Sequence, residues 1–351
     1  MSFIVHVSVM RLFSLAALAA ALLITKVHAG EVSDELRREG IHWPGEGGKR
    51  IPVSIGIVVI DFARVNLREE SFAMAGYLDV TWSDSTLALR DDEQGADVRR
   101  YRPLQIWTPS LEFVNAVEQV NGEREGDIYV ARDGKATQRI RFSHNFQSSL
   151  HLRRFPFDRQ SLSIIVAPFD PFAKDIDLSI DSQRVGTLRE ASVPDWNLDS
   201  VHARLEKPDE DNAAGRFVFE TQISRRATFY IWRVFFPITL LVVASWAAFW
   251  FDPANLQPLI TVSLSILLSL VTFTYAVDFS LPKVPYLTFT DCYVLNAFLF
   301  VLSTLFVVTV IHVMIRSNRV EQAHRLQRRA RAVVPALFVT AVVILSVINL
   351  T

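Results

Sequence analysis

Within a long stretch free of charged residues, Gln257, Thr261, Ser265, Leu268, Thr272 and Tyr275 are separated by four, four, three, four and three positions, the spacing of one helix face. Ile260, Leu264, Ile266, Leu267, Leu270, Val271 and Phe273 supply much of the remaining surface. Hydroxyls and an amide aligned in this way have no use against lipid. They serve either to meet water along a path through a membrane or to form a polar seam between packed helices, where Ser and Thr also satisfy backbone carbonyls. The spacing leaves both readings open.

Covalent chemistry has weaker support. The sequence contains no HExxH zinc motif, no GxSxG nucleophile elbow and no GxxxxGK[ST] phosphate loop. His144 and His151 have the right chemistry for a general base or a metal ligand, but neither has a carboxylate or cysteine companion at a diagnostic spacing. Both are read as structural or surface histidines. Cys292 is the sole cysteine, which excludes an intrachain disulfide and multi-cysteine zinc sites. No catalytic residue, metal or cofactor is expected, and the chain is not read as an enzyme.

The elements that must carry the polar face follow from where charge is missing. The chain has 36 basic and 37 acidic residues, a formal charge of -1, so no global field argues for a nucleic-acid partner. Hydrophobic residues make up 50% of the sequence and cluster after residue 230, which rules out a single soluble domain. Runs without Asp, Glu, Lys or Arg cover 234–251, 253–277, 292–315 and 332–351, each near or above the length a helix needs to cross hydrocarbon. Four transmembrane helices are expected, at about 231–251, 255–278, 288–315 and 332–350, in a domain covering 227–351.

Orientation rests on two separate features. The linker 316–331 carries six arginines against one acid, Glu321, which assigns it to the cytoplasmic side. At the other end, Arg11, the uncharged run 12–25 and Val27-His28-Ala29 fit a secretory signal peptide over residues 1–29, with export of the domain that begins at residue 30. Both features place the N-terminal domain outside.

Residues 30–226 form that exported domain. Apolar or alternating stretches at 51–64, 71–82, 101–114, 137–147, 160–167, 175–182, 196–206 and 215–226, separated by turn residues, predict an immunoglobulin-like β-sandwich. The alternation in Arg139-Ile140-Arg141-Phe142 and in 216–223 puts one side of each strand in a core shared with a second sheet.

The run Phe155-Pro156-Phe157-Asp158-Arg159-Gln160 resembles the signature loop of pentameric ligand-gated ion channels, the Cys-loop receptor superfamily. Trp107-Thr108-Pro109, Arg225-Arg226 before the first span, Pro237 within it, and 281–286 after the second are similar to family segments in the same order. Ser148 and Leu162 stand where animal receptors carry the loop cysteines, a departure that points to the prokaryotic branch.

The resemblance implies a homopentamer, this chain with four further copies of itself, in a bacterial inner membrane. It chooses the pore reading for the polar face: Leu268 forms a central apolar ring, Tyr275 a second constriction toward the outside, Thr261 and Ser265 the inner path, and Gln257 the cytoplasmic mouth. Many cation-selective relatives place glutamate near that mouth, where this chain has Gln257. Asp252 and Asp278 are the acids left to favour monovalent cations, with an anion or weakly selective channel as the alternative. The resemblance further implies a coupling junction made of Asp158 paired with Arg226, the loop residues Phe155, Pro156 and Phe157, the turn 66–70, and Pro282, Lys283 and Pro285. A subunit-interface pocket is expected to draw on Tyr77, Trp82, Phe169, Phe172 and Phe217, an aromatic set suited to an amine, although core packing explains each aromatic equally well. The stimulus is a small ligand or protons. A non-conducting membrane receptor or adaptor is the competing function.

Overall fold

The structure is a computed structural model that describes residues 43–45, 50–89, 97–118, 124–169, 173–188, 195–207, 215–252, 256–278 and 284–350. The expected leader at 1–29 lies outside the described residues, as do Phe172, Pro282 and Lys283.

Two sheets make up the N-terminal domain. In the larger, β1 (Ile51–Asn66), β2 (Ser71–Ser83), β7 (Lys135–Gln147), β6 (Arg124–Ala131) and β3 (Val98–Tyr101) lie side by side; β9 (Ile176–Ile180) and β10 (Gly186–Thr187) pair with β1, and β5 (Ala116–Glu118) with β7. The smaller runs β11 (Trp196–Glu206), β12 (Arg216–Arg225), β8 (Arg159–Pro168), β4 (Leu111–Phe113). The period of two read from the sequence is what packs them. Val53, Ile55 and Ile57 of β1, Phe72, Leu78 and Val80 of β2, and Phe142 and Phe146 of β7 are buried against Leu162, Ile164, Val166, Phe217, Phe219 and Ile223 of the second sheet. The sequence reading missed β5, β10 and β6, whose stretch REGDIYVA opens with charged residues, and drew one long strand at 101–114, where only β4 and the last residue of β3 are strand.

The second domain is four helices: α1 (Thr228–Trp250), α2 (Leu256–Asp278), α3 (Phe289–Arg316) and α4 (Val320–Leu350). Helices α1, α3 and α4 are long and apolar enough to cross a membrane. Helix α2 has 23 residues, about 34 Å at 1.5 Å per residue, also enough to cross about 30 Å of hydrocarbon. Pro237 has no N–H to return to the preceding turn. The chain there widens into a π-turn over Ile231–Phe235, with the Phe236 N–H bonded to the Ile231 carbonyl, before resuming as α-helix. Helix α3 begins at a capping box in which the Asp291 N–H donates to Thr288 Oγ1 at 3.2 Å and the Thr288 N–H to Asp291 Oδ2 at 2.8 Å.

One buried cluster joins all four helices: Val234, Ile238 and Val242 of α1, Ile266 and Leu270 of α2, Tyr293, Ala297 and Val301 of α3, and Phe338 of α4. The stretch 316–331, expected as a linker, is mostly helix. Only residues 317–319 separate α3 from α4, and the arginine-rich segment winds continuously into the last span.

Candidate functional site

On α2 the structure keeps the predicted face together and uncovers it. Gln257, Thr261, Ser265, Leu268, Thr272 and Tyr275 are all exposed, Leu268 by 68% and Tyr275 by 67%. At 100° per residue they occupy an arc of about 80°, and the buried residues of the same helix, Ser263, Ile266 and Leu270, lie on roughly the opposite side. The face is therefore not a seam between helices of one chain. Its hydroxyls donate inward: Thr261 Oγ1 to the Gln257 carbonyl at 3.0 Å, Ser265 Oγ to that of Thr261 at 2.8 Å, and Thr272 Oγ1 to that of Leu268 at 3.0 Å. Each donor is satisfied within the helix, and the oxygen lone pairs remain available to whatever meets the exposed side. Ser269, which the spacing did not select, repeats the bond to the Ser265 carbonyl at 2.8 Å and widens the polar strip.

The second constellation sits where the domains meet. Arg225 Nε donates to Asp158 Oδ1 at 2.7 Å and Nη2 to Oδ2 at 3.0 Å, with the two side chains only 2% and 1% exposed. Gln160 Nε2 gives Asp158 Oδ2 a further bond at 2.7 Å, and the Arg225 guanidinium lies 4.0 Å from the Trp196 ring centre and 4.8 Å from that of Phe155.

The expected pair of Asp158 with Arg226 is thus corrected to Asp158 with Arg225. Strand β12 turns Phe217, Phe219 and Ile223 inward, and the same alternation turns Arg225 inward and Arg226 out. Arg226 instead donates from Nε to Asn197 Oδ1 at 2.7 Å.

The signature loop reaches the helices directly. Phe155 and Pro156 are buried and joined by a cis bond, and Phe157 stacks on Phe235 and meets Phe289 edge-on. Thr290 Oγ1 donates to the Phe155 carbonyl at 3.0 Å, the Phe289 N–H to the Arg153 carbonyl at 2.8 Å, and the Leu152 N–H to Tyr286 Oη at 3.0 Å. From the β1–β2 turn, whose Asn66 Oδ1 accepts the Arg68 N–H at 3.1 Å, the Glu70 carbonyl accepts the Ser148 N–H at 2.8 Å. Pro285 is exposed beside these contacts and forms no part of the buried set.

Arg225, Trp196, Tyr286, Phe289 and Thr290 are among the junction residues that sequence reasoning missed. For Arg225 the signal was present, since the β12 alternation extends by one more step. Thr290 had none, because its partner Phe155 is 135 positions away.

The aromatic candidates do not converge within one chain. Trp82 and Phe217 are core residues, 1% and 0% exposed, because each lies on the inward face of its strand; this corrects their assignment to a pocket. Phe169 is exposed. Tyr77 is half-buried and already faces a cation, the Arg139 guanidinium at 5.0 Å from its ring centre. Arg139 is held by the buried Asp79, Nε to Oδ1 at 2.6 Å and Nη2 to Oδ2 at 2.9 Å, and Arg184 reaches the same carboxylate at 3.2 Å. The hydrogen bond to Asp79 raises the Arg139 pKa further above its ordinary value, against the opposing effect of burial. A polar cleft of about 420 Å³ lies farther along β2, lined by Ser54, Thr81, Lys135, Ser179, Asp181 and Gln183.

Family models match nearly all of the described chain: the neurotransmitter-gated ion-channel ligand binding domain over residues 39–231, and the neurotransmitter-gated ion-channel transmembrane region over 234–345. The chain belongs to the neurotransmitter-gated ion channel family. Among its relatives are a proton-gated ion channel of Gloeobacter violaceus, 29% identical over 84% of this chain and 82% of the relative, and the gamma-aminobutyric acid receptor subunit theta of Mus musculus, 25% identical over 83% of this chain and 46% of the relative. The gamma-aminobutyric acid receptor subunit rho-2 of Homo sapiens is 24% identical over 79% of this chain and 62% of the relative. This chain therefore spans less than two thirds of those two receptor subunits.

As a neurotransmitter-gated ion channel family member the chain is not an enzyme, and its helical domain is a transmembrane region. What holds its signature loop without cysteines is Asn115. Its Nδ2 donates to the Gln147 carbonyl at 2.8 Å and the Ser163 carbonyl at 2.7 Å, and its Oδ1 accepts the Ile165 N–H at 3.0 Å, so one side chain ties the strand before the loop to the strand after it. Gln160 closes the loop from inside through both the N–H and the carbonyl of His151, each at 2.9 Å.

Proposed function

We propose that this chain is one of five identical subunits of a ligand- or proton-gated channel whose pore is lined by α2 and which favours monovalent cations. The observation that carries the proposal is the exposed polar face of α2, opposite a buried seam, in a family of gated ion channels. One helix encloses nothing, so the uncovered face needs further copies around an axis. Water along Gln257, Thr261, Ser265 and Thr272 meets lone pairs that the helix leaves available. A ring of Leu268 interrupts that path with apolar surface and stops ions by dewetting; opening tilts or displaces the helices and rehydrates the ring.

The N-terminal domain lies outside the cell membrane and the α3–α4 end in the cytoplasm, in keeping with the six arginines between 316 and 331. The stimulus shifts a closed-to-open equilibrium through the junction, where Phe155, Arg153 and Leu152 bond to Thr290, Phe289 and Tyr286. Protons are favoured as the stimulus by the proton-gated relative that shares 84% of this chain's length. Cation preference rests on the exposed Asp252 before α2 and on Asp278 at its last position, since Gln257 supplies no charge.

Purified full-length protein in planar bilayers tests the proposal. Unitary currents evoked by a pH step, with reversal potentials following the cation gradient, are expected. Reversal potentials following the anion gradient would reverse the selectivity reading alone. Absence of current across pH and ligand screens would favour the non-conducting receptor.

A further inference from the structure

The inward seams of α1, α2 and α3 change character at one depth. Val242, Ile266 and Val301 belong to the buried cluster that joins the helices, and each of these three helices contacts the other two. Three positions farther toward the end that holds the α3–α4 turn stand Ser245, Ser263 and Thr304, 1%, 1% and 0% exposed. The next layer is apolar again, with Ala248, Phe249 and Val308 packed against Ala330 and Val334 of α4. One layer of hydroxyls thus lies between two apolar clusters. Trp246 packs against both clusters and so sits at the same depth, its ring centre 5.8 Å from that of Phe338.

The polar groups of this layer are unevenly satisfied. Ser245 Oγ donates to the Val242 carbonyl at 2.6 Å and Thr304 Oγ1 to that of Phe300 at 3.0 Å, so both protons are committed and both oxygens keep acceptor lone pairs. Ser263 differs from its neighbours on α2. Thr261, Ser265, Ser269, Thr272 and Thr274 all donate to the carbonyl four residues back, whereas Ser263 Oγ meets no partner among the described residues. Trp246 is half-buried, but its Nε1–H is enclosed and meets no acceptor there either. An enclosed donor left unpaired is costly, the more so inside a membrane-spanning bundle. Two donors without acceptors therefore share a layer with two oxygens that can still accept.

We propose that Ser245, Ser263, Thr304 and Trp246 form a binding site for one water molecule at the centre of the helix bundle. The water accepts from Ser263 Oγ and Trp246 Nε1 and donates to Ser245 Oγ and Thr304 Oγ1, a full set of partners for a buried water. A molecule of that size suits a layer of short side chains flanked by Val, Ile and Phe. The bridge ties the back of α2 to α1 and α3 at the depth where Thr261 and Ser265 stand on its exposed face. A water-mediated bond is nearly as favourable as a direct one and spans a wider gap, so it holds α2 to the bundle where no side chain reaches across.

Two measurements on full-length protein in detergent micelles test the site. In a wild-type density map fine enough to show ordered water elsewhere in the protein, a peak is expected within about 3.2 Å of Ser263 Oγ and of at least one of Ser245 Oγ and Thr304 Oγ1. Thermal unfolding supplies the energetics. Deleting an unpaired buried hydroxyl leaves Tm unchanged or raises it, whereas Ser263→Ala is expected to lower Tm by about 2–4 °C because it removes a bond to the water. Ser263→Ala/Thr304→Val should lose less than the two single variants together, since both act on one molecule. An unchanged or raised Tm for Ser263→Ala, strictly additive losses, or a map with no peak in the layer would each overturn the proposal. Should a variant fail to assemble, the wild-type map decides. Neither measurement depends on conduction, so the outcome is separate from that of the channel reading.

Discussion

Two parts of this chain carry polar atoms in apolar surroundings and treat them in opposite ways. At the junction, Asp158 and Arg225 are buried, joined by two hydrogen bonds, and enclosed by Gln160, Trp196 and Phe155. On α2, Thr261, Ser265 and Thr272 are exposed and return their protons to their own helix. The first arrangement closes on itself and holds two elements together. The second leaves acceptor capacity pointing outward, available to whatever meets that face.

That contrast can be broken most severely at the junction. Arg225→Ala strands a buried carboxylate and is expected to lower stability by about 3–5 kcal/mol, whereas Arg226→Ala, on the outer face, is expected to cost less than about 1 kcal/mol. Thermal unfolding of the two purified full-length variants compares them, and equal losses would erase the distinction between the neighbouring arginines. Arg225→Lys should restore little, since an ammonium cannot match the bidentate geometry or the stacking on Trp196. Asn115→Ala removes three hydrogen bonds around the signature loop and should cost about 2–3 kcal/mol by the same measurement.

The α2 face should respond in conduction rather than in stability. Leu268→Ala is expected to change stability by less than about 1 kcal/mol while raising resting ion flux into liposomes. A loss as large as that of Arg225→Ala would mean that Leu268 is packed. The smallest effect is expected for Thr261→Val, which keeps shape and exposure: stability within about 0.5 kcal/mol of wild type and a reduced single-channel conductance.

Much of the architecture was legible in one dimension. The four helices lie close to the charge-free runs, and most long strands of the sandwich fall on the alternating stretches. Periodicity also grouped the six α2 residues that share one exposed face, because residues on one helix bear a fixed angular relation whatever surrounds them. It was silent where a choice depended on neighbours. Alternation in β12 was followed to Ile223 and not to Arg225, so the charged pair was assigned one residue too far. Aromatic type marked Trp82 and Phe217 as ligand candidates, but only the second sheet reveals that they are core. A helix start at Val320 was concealed by six arginines that read as a loop, because an exposed helix face carries charge as readily as a loop does.

The sequence by itself determined which segments form the helices of the transmembrane region, which faces of strands turn inward, and that the six selected α2 residues share one face, since each follows from local chemistry repeated at a fixed period. Tertiary structure alone decided the partners: Arg225 for Asp158 across 67 positions, Thr290 for the Phe155 carbonyl across 135, and Asn115 for the Ser163 carbonyl across 48. Hydrogen bonds act over about 3 Å in space and carry no record of separation along the chain, so only folding reveals which of many capable side chains meet.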